Sequence, residues 1–403
     1  MRGQRRSWVG ALAVAASVAT TGLACSSPAH PGYLVDPSWG DAAAPADAVD
    51  PSFDVAVDTA PLNCSAVEAG LLCACREIGT RPPVLYVLLD RSGSMLESPG
   101  SSGLTKWNLV RTALVDPSSG ALRKLGSKIR IGLAIFPGND TDACSTEIEG
   151  FPITRGSTAA YDALNGQLQR IAPGGGTPTA ISLTALGQRL AGVEGPVYVL
   201  LATDGGPNCN ATLTCTPDSC IQCIEHASIF DATTGKPTGL YCDANHNCCD
   251  PSLFGAGANE DCLDSANTNA AAAALAAAGM KTFVVGVPGA GPYAAALDAL
   301  AAAGGTDHYY DATDPTQAAL EAALEAITAK AIDSCNITLE SPPTDPGMTN
   351  VIVDGVTIPQ DPTNGWSWGP GYASIVLNGA ACTTAKDATD IQVAVGCKTV
   401  TPQ

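Results

Sequence analysis

The sequence predicts an α/β protein whose doubly wound, mostly parallel sheet is flanked by helices. Short apolar runs without polar alternation, such as residues 84–89 and 197–202, suit strands that are covered on both faces. Longer segments of helical periodicity separate these runs. The loops that follow the two runs contain Asp90 and Asp204, and loops at such positions of a parallel sheet bind ligands.

The first 83 residues precede this predicted sheet. Residues 1–25 have the arginines, apolar stretch and small residues of an export signal, and their end is similar to a bacterial lipobox with Cys25 as the lipidated residue. Residues 26–63 contain no Lys or Arg and are rich in Ala, Pro and Asp, which is typical of a disordered, acidic tether. Residues 64–83 carry three cysteines and are expected to form a strap. We therefore expect an outer-membrane lipoprotein or cell-surface protein, with a periplasmic or secreted protein as the alternative.

The predicted head domain, residues 84–333, alternates strands and helices. Strands are expected over residues 84–89, 129–136, 147–154, 197–202, 282–287 and 308–311. Helices are expected over residues 106–115, 161–171, 180–190, 267–279, 293–303 and 315–332.

Oxygen-bearing side chains occupy three loops of the head. Asp90, Ser92 and Ser94 form a D-x-S-x-S loop after the first strand, and Asp204 follows the strand over residues 197–202. Thr177 lies in a glycine-rich loop before a predicted helix. Carboxylates and hydroxyls are hard donors, so the first loop suits a small divalent cation such as Mg²⁺.

These three loops resemble those of the von Willebrand factor type A family. The resemblance spans roughly residues 80–333, and all five positions of the family's metal-ion-dependent adhesion site are present, at Asp90, Ser92, Ser94, Thr177 and Asp204. It implies that the hydroxyls bind the ion directly, that the aspartates often act through water, and that an open coordination position accepts a partner's carboxylate. Mg²⁺ is the expected ion, with Mn²⁺ and Ca²⁺ as alternatives.

Helix capping is the alternative interpretation of the same residues. Asp and Thr commonly cap the first turn of a helix, and Asp90, Thr177 and Asp204 each precede a predicted helical segment. Capping does not require three such loops on one edge of a sheet, so we prefer the cation site.

A cysteine-rich insertion, residues 207–263, follows Asp204 and is called the cap. It holds eight of the sixteen cysteines, an even number that predicts a self-contained, disulfide-stapled unit. Because it leaves the edge that carries the loops, we expect it to lie beside the ion as a lid or part of the recognition surface. The pair Cys220 and Cys223, with His226 and His246, also allows a zinc site, although an exported chain favours disulfides.

Residues 334–403 predict a small β-rich domain. Strands are expected over residues 336–339, 351–358, 373–377 and 391–395, separated by Pro, Gly and Asn turns. Cys382 and Cys397 are expected to pair, with Cys335 linking this domain to the head. Trp366 and Trp368 are expected to form a small packed core, with sugar stacking as the alternative.

Composition and motifs favour a binding protein over an enzyme. The net charge of −19 argues against nucleic-acid and anionic-lipid partners, so a membrane is contacted only through the lipid anchor. No H-E-x-x-H or G-x-S-x-G motif occurs. We expect a protein or surface polymer that offers a carboxylate to be the partner. An envelope assembly factor using the same site is the alternative, followed by a metal-dependent hydrolase.

Overall fold

The computed structural model describes residues 76–99, 103–138, 144–231, 233–312, 317–331 and 335–402. The predicted export signal with Cys25, the tether over residues 26–63 and the strap up to residue 75 lie outside these residues. Within the part of the chain that the structure describes, every helix is too short or too polar to span a bilayer.

Strands and helices alternate through the head as predicted. The strands are β1 (Arg76–Glu77), β2 (Val84–Asp90), β3 (Arg130–Phe136), β4 (Glu149–Arg155), β5 (Val197–Thr203), β6 (Ser228–Phe230), β7 (Pro237–Tyr241), β8 (Lys281–Gly286), β9 (Tyr310–Asp311), β10 (Asn336–Thr338), β11 (Thr349–Val353), β12 (Val356–Ile358), β13 (Trp366–Trp368), β14 (Ser374–Leu377) and β15 (Ile391–Val395). The α-helices are α1 (Lys106–Val115), α2 (Thr158–Leu168), α3 (Thr179–Leu190), α4 (Ile221–Ile224), α5 (Pro251–Phe254), α6 (Ser265–Ala277), α7 (Ala294–Ala303), α8 (Gln317–Ala331) and α9 (Gly379–Asp387).

A six-stranded sheet forms the centre of the head, in the order β4-β3-β2-β5-β8-β9. Only β4 runs antiparallel to its neighbour, so the predicted mostly parallel sheet is confirmed. Strand β2 lies in the middle and pairs in parallel with both β3 and β5. The chain therefore leaves β2 at a point where connections run to both sides, which is where open α/β sheets bind ligands.

Each face of this sheet packs against its own layer of helices. Leu85, Val87 and Leu89 of β2 belong to one core, which includes residues of α1, α2 and α8. Alternate residues of the same strand, such as Val84 and Leu88, belong to the other core, with residues of α3, α6 and α7. Because successive side chains of a strand point to opposite faces, a strand between two apolar layers needs an unbroken apolar run.

Helix α2 begins earlier than predicted because a serine caps its first turn. The helix expected over residues 161–171 runs from Thr158 to Leu168. The hydroxyl of Ser157 accepts a hydrogen bond from the backbone N–H of Ala160 at 3.2 Å, so this serine is the N-cap. Serine satisfies a donor that the first turn leaves unpaired, which begins the helix before its apolar periodicity is evident.

The chain before the head and the chain after it fold into one β domain. Strand β1 pairs antiparallel with β15, in a four-stranded sheet of order β1-β15-β11-β12. A second, three-stranded sheet has the order β10-β14-β13. The head is therefore an insertion in this β domain, and the end of the predicted strap, from Arg76 to Thr80, pairs with C-terminal strands.

The β domain contacts the head at the amino ends of the parallel strands. Just before β3, the Ser127 hydroxyl donates to the Asp390 carboxylate at 2.8 Å, and Lys128 donates to the backbone oxygen of Lys386 at 2.7 Å. The carboxyl ends of β2 and β5, where Asp90 and Asp204 lie, form the opposite edge of the sheet. This arrangement leaves the loop edge clear of the β domain.

Two features of the C-terminal region differ from the predictions. Cys382 pairs with Cys335, so the expected Cys382–Cys397 pair and the expected link from Cys335 to the head are wrong; Cys397 is itself disulfide-bonded. Helix α9 and strand β13 were not predicted, because their segments are short and lack a clear apolar period.

Trp366 is fully buried in the core of the β domain, which confirms a packing role for that residue.

Gly132→Ala is expected to destabilise the head by about 1–3 kcal/mol, since overpacked cores lose stability on this scale. A methyl group at this position of β3 would lie 2.3 Å from the ring of Tyr86, which is fully buried. The matched control is Gly166→Ala in α2, where a methyl group has no atom within 4 Å and should stabilise by about 0.5–1 kcal/mol. Urea unfolding of both variants measures the difference; equal stability of the two would contradict the packing shown for β3.

Candidate metal centre

Two neighbouring parallel strands deliver two buried carboxylates to the same edge of the sheet. Asp90 is the last residue of β2, and Asp204 directly follows β5. The two strands pair in register, with Leu89 opposite Ala202. Asp90 is fully buried and Asp204 is 2% exposed. Parallel pairing thus places two like charges close together in a region with little solvent.

The D-x-S-x-S loop folds back so that its hydroxyls meet the second carboxylate. The backbone N–H of Ser92 donates to Oδ1 of Asp90 at 2.7 Å. The hydroxyl oxygens of Ser92 and Ser94 are 3.0 Å apart, and the Ser94 hydroxyl donates to Oδ1 of Asp204 at 3.0 Å. A short 3₁₀ turn from Gly93 to Leu96 produces this curvature.

The glycine-rich loop is hydrogen-bonded to the D-x-S-x-S loop through its backbone. Gly174 donates to the carbonyl of Arg91 at 2.7 Å, and Gly93 donates to the carbonyl of Gly175 at 2.9 Å. Thr177 is buried, and its hydroxyl lies 3.9 Å from the position that a Cβ of Gly205 would occupy. The structure therefore brings all five predicted residues to one edge of the sheet.

The helix-capping interpretation is wrong for these residues. The N-cap of α3 is Pro178, the cap of α1 is the hydroxyl of Thr105, and the N-cap of α4, the first α-helix after Asp204, is Cys220. Asp90 accepts bonds from Ser92 and from the hydroxyl of Thr203 at 2.6 Å instead. The hydroxyl of Ser94 joins the oxygens of Ser92 and Asp204, so two of the three loops meet through side-chain oxygens rather than capping helices.

Lys106 is a member of this cluster that sequence reasoning missed. Its ammonium group donates to Oδ2 of Asp204 at 2.8 Å and to Oε2 of Glu97 at 2.7 Å. The residue is 5% exposed although it begins a helix at the surface end of the sheet. Its only sequence signal is a lysine at the start of the helix after the metal loop. Sequence reasoning also missed Thr203, which donates to Asp90. Its role depends on the pairing of two strands, which no local pattern marks.

Burial governs the electrostatics of the two carboxylates. Burial, followed by the charge of Asp204, raises the pKa of Asp90 from 3.8 to about 7. Burial also raises the pKa of Asp204, against the lowering effect of the Lys106 ammonium. Burial alone would lower the pKa of Lys106, but Asp204 and Glu97 outweigh it and the pKa is raised. The two aspartates therefore lie in a site whose positive charge, from Lys106, does not balance two ionised carboxylates.

The cap is attached directly to the threonine loop. Asn208, at its start, accepts a hydrogen bond from the Thr177 N–H through Oδ1 at 2.6 Å and donates its own N–H to the Thr177 carbonyl at 2.9 Å. Next to it, Cys209 forms a disulfide with Cys144, in the connection between β3 and β4. The predicted position of the cap beside this edge is confirmed by these contacts.

The disulfides of the cap are only partly those expected. Three pairs lie within it: Cys215–Cys262, Cys220–Cys249 and Cys242–Cys248. The expectation of a self-contained unit is wrong, because Cys209 pairs outside the cap and Cys223 has a free thiol. Cys220 is oxidised, so the zinc site built on Cys220 and Cys223 is wrong as well.

The donor set fits a small divalent cation. Ser92, Ser94 and Thr177 offer hydroxyl oxygens, and Asp90 and Asp204 offer carboxylate oxygens, which are the ligands that Mg²⁺ prefers. The hydroxyl oxygens of Ser92 and Ser94 are 3.0 Å apart, and the Ser94 hydroxyl lies 3.0 Å from Oδ1 of Asp204, so these three residues would hold the ion together.

Comparisons with known proteins supply related architectures. No family model matches the sequence, and no curated protein matches it either. Solved structures similar to this one include the pilus adhesin SpaC from Lactobacillus rhamnosus GG, with 16% identity, a TM-score of 0.42, and coverage of 79% of this chain and 40% of that chain. The PilB minor pilin from Streptococcus sanguinis has 17% identity, a TM-score of 0.41, and coverage of 62% and 61%.

A further similar structure is the vWF domain of the type V pili tip protein Mfa5 from Porphyromonas gingivalis. It has 16% identity and a TM-score of 0.38, and the match covers 62% of this chain and 97% of that domain. This chain spans less than two thirds of the SpaC and PilB chains that it matches. With TM-scores below 0.5, these likenesses assign neither family nor function.

In the metal-free protein, the free energy of unfolding is expected to fall as the pH rises from about 4 to about 7. In this window Asp90 is ionised in the unfolded chain but holds its proton in the fold, because its folded pKa is raised to about 7. The fold thus binds more protons than the unfolded chain, and ionisation costs it at most about 4 kcal/mol. Urea unfolding in chelator across this range measures the slope, which Asp90→Asn should flatten.

Asp162→Asn is the control for this experiment, since Asp162 lies on α2 with its side chain 55% exposed. It should keep the wild-type slope. An unchanged slope in Asp90→Asn would contradict the electrostatic account of the buried pair.

Proposed function

We propose that the chain is an exported, cell-surface binding protein whose head recognises a carboxylate-bearing partner through a divalent cation. Asp90, Ser92, Ser94, Thr177 and Asp204 would hold the ion, with Mg²⁺ as the first choice and Mn²⁺ or Ca²⁺ as alternatives. The partner is a protein or surface polymer. The bound ion would supply a positive, oxygen-seeking contact at the end of the sheet.

One observation carries this proposal: hydroxyls from two loops and carboxylates from two strands converge on one edge of the sheet. The Ser94 hydroxyl bridges the loops by touching both Ser92 and Asp204. Two buried carboxylates with a single nearby ammonium are electrostatically costly, and a bound cation relieves that cost. The edge is clear of the β domain, so a partner is able to approach it.

Hydrogen bonds within the chain hold the proposed ion ligands in place in the absence of a partner. Thr203 fixes one oxygen of Asp90, and the Ser92 N–H fixes the other. Asn208 holds the threonine loop from the cap side. Preorganised donors lose little conformational entropy on binding, which favours a stable ion site.

Two other functions use the same site. An envelope assembly factor would bind a partner protein from the periplasm, and it differs from an adhesin in location rather than in chemistry. A metal-dependent hydrolase would need a base beside the ion. The Ser94 hydroxyl contacts the Asp204 carboxylate, a pairing that a metal site and a hydrolase would both use.

Divalent dependence is expected for recognition. The full chain, used as bait on extracts of cell-surface proteins and polymers, should retain partners in Mg²⁺ and release them in excess chelator. Asp90→Ala should retain none, because it removes a buried carboxylate from the ion site. Asp162→Asn changes a side chain of α2 that is 55% exposed and should behave as wild type. Equal retention in chelator would count against cation-bridged recognition.

Surface location is expected from the export signal and the lipobox-like Cys25. Protease added to intact cells should remove the head from the outer surface, as followed by an antibody to the head. Protection on intact cells, with digestion after outer-membrane permeabilisation, would favour the assembly factor instead. A periplasmic protein of known location serves as the control for membrane integrity.

A further inference from the structure

We propose that Lys106 sets the charge of the cation site: its ammonium weakens cation binding but leaves the loaded site positive enough to accept a carboxylate. This inference rests on the proposed function. It concerns a residue outside the five expected ligands, and it makes Lys106 a positioning residue that determines which partners the ion attracts.

The geometry fixes the ammonium close to the ion ligands. Lys106 donates to Oδ2 of Asp204, while Oδ1 of the same carboxylate accepts from Ser94. One aspartate thus bridges the ammonium and the hydroxyls of the candidate site. The opposite wall is the backbone at Gly289, where a Cβ would lie only 2.6 Å from the ammonium nitrogen. Gly289 has φ +113°, which favours glycine and keeps this wall close.

The balance of charge follows from the buried groups. Asp90 and Asp204 contribute two negative charges when ionised, so a divalent cation alone would neutralise the pair. Lys106 adds one positive charge to the same buried cluster. The Glu97 carboxylate that also contacts Lys106 has its side chain 68% exposed, so solvent screens it.

Other acids near the site do not alter the argument about Lys106. Glu225 approaches from the cap, where burial raises its pKa and the Tyr293 hydroxyl donates to it at 2.7 Å. Whatever charge these outer acids carry, replacing Lys106 by a neutral residue removes one positive charge from the cluster.

Two opposite effects therefore come from one side chain. The ammonium repels an incoming divalent cation, so its removal should strengthen cation binding. It also adds to the positive field that a partner carboxylate meets, so its removal should weaken carboxylate binding. A residue that only supports the fold would not separate these two affinities in opposite directions.

The test uses the full chain, Mn²⁺ as the cation and acetate as the carboxylate. Mn²⁺ affinity is measured by competition with an indicator chelator, and acetate binding by the paramagnetic broadening of its methyl resonance. Lys106→Gln, which keeps N–H donors but loses the charge, should bind Mn²⁺ about tenfold or more tightly than wild type, the scale that a nearby unit charge predicts. Acetate broadening should fall by at least about threefold at equal Mn²⁺ occupancy.

Two controls separate charge from packing. Lys106→Arg keeps the charge and should therefore bind Mn²⁺ within about threefold of wild type. Lys124→Gln removes an exposed lysine that pairs with Glu325 and should change neither affinity. Lys106→Met is a second neutral variant. Lys106→Gln and Lys106→Met are both folded in the presence of Mn²⁺ before measurement, so neither needs a stable metal-free fold.

The outcomes distinguish this inference from the function on which it rests. Failure of wild-type protein to bind Mn²⁺ would remove the proposed function itself. Wild-type binding with equal or weaker Mn²⁺ affinity in Lys106→Gln and Lys106→Met would overturn only the charge-setting role. Tighter Mn²⁺ binding with undiminished acetate broadening would also overturn it.

Discussion

The burial of two like charges at the end of a parallel sheet is the constraint on which the site depends. Strand pairing alone brings Asp90 and Asp204 together, because both follow neighbouring strands that run in the same direction. Their proximity is unfavourable in a region that solvent barely reaches. The surrounding groups are arranged against this cost: hydroxyls of Thr203 and Ser94 donate to the two carboxylates, and Lys106 brings the compensating charge. Removing any one of them would take a hydrogen-bond partner from a buried carboxylate.

The cap extends this arrangement beyond the sheet. Paired hydrogen bonds between Asn208 and Thr177 join its first residues to the threonine loop, and the Cys144–Cys209 disulfide ties the same point to the connection after β3. Three further disulfides stabilise the remainder, whose described residues form short helices and a two-stranded sheet. A small unit with little core gains its rigidity from such crosslinks. The order of the cap and the position of the threonine loop are therefore coupled.

Sequence reasoning succeeded where chain geometry leaves little choice. An unbroken apolar run requires a strand between two layers, and parallel strands must end at a common edge, so the sheet and the three loops with Asp90, Thr177 and Asp204 were predictable. It failed where a partner lies far along the chain. Lys106 reaches Asp204 across 98 positions, and no local pattern marks such a contact. Cysteine pairing has the same difficulty: the sequence analysis expected Cys397 as the partner of Cys382, whereas packing selects Cys335.

Strand β2 spans the head from the β domain to the loop edge. The chain from the β domain enters at Val84, and the D-x-S-x-S loop leaves at Asp90. A mechanical pull between an anchored N-terminus and a partner held at the loop edge would thus run along this single strand. Seven of its residues pair with β3 and six with β5. A force along the strand would therefore act on the hydrogen bonds of both pairings at once, instead of breaking them one after another. Under the proposed function, this architecture would suit tension between an N-terminal anchor and a bound partner.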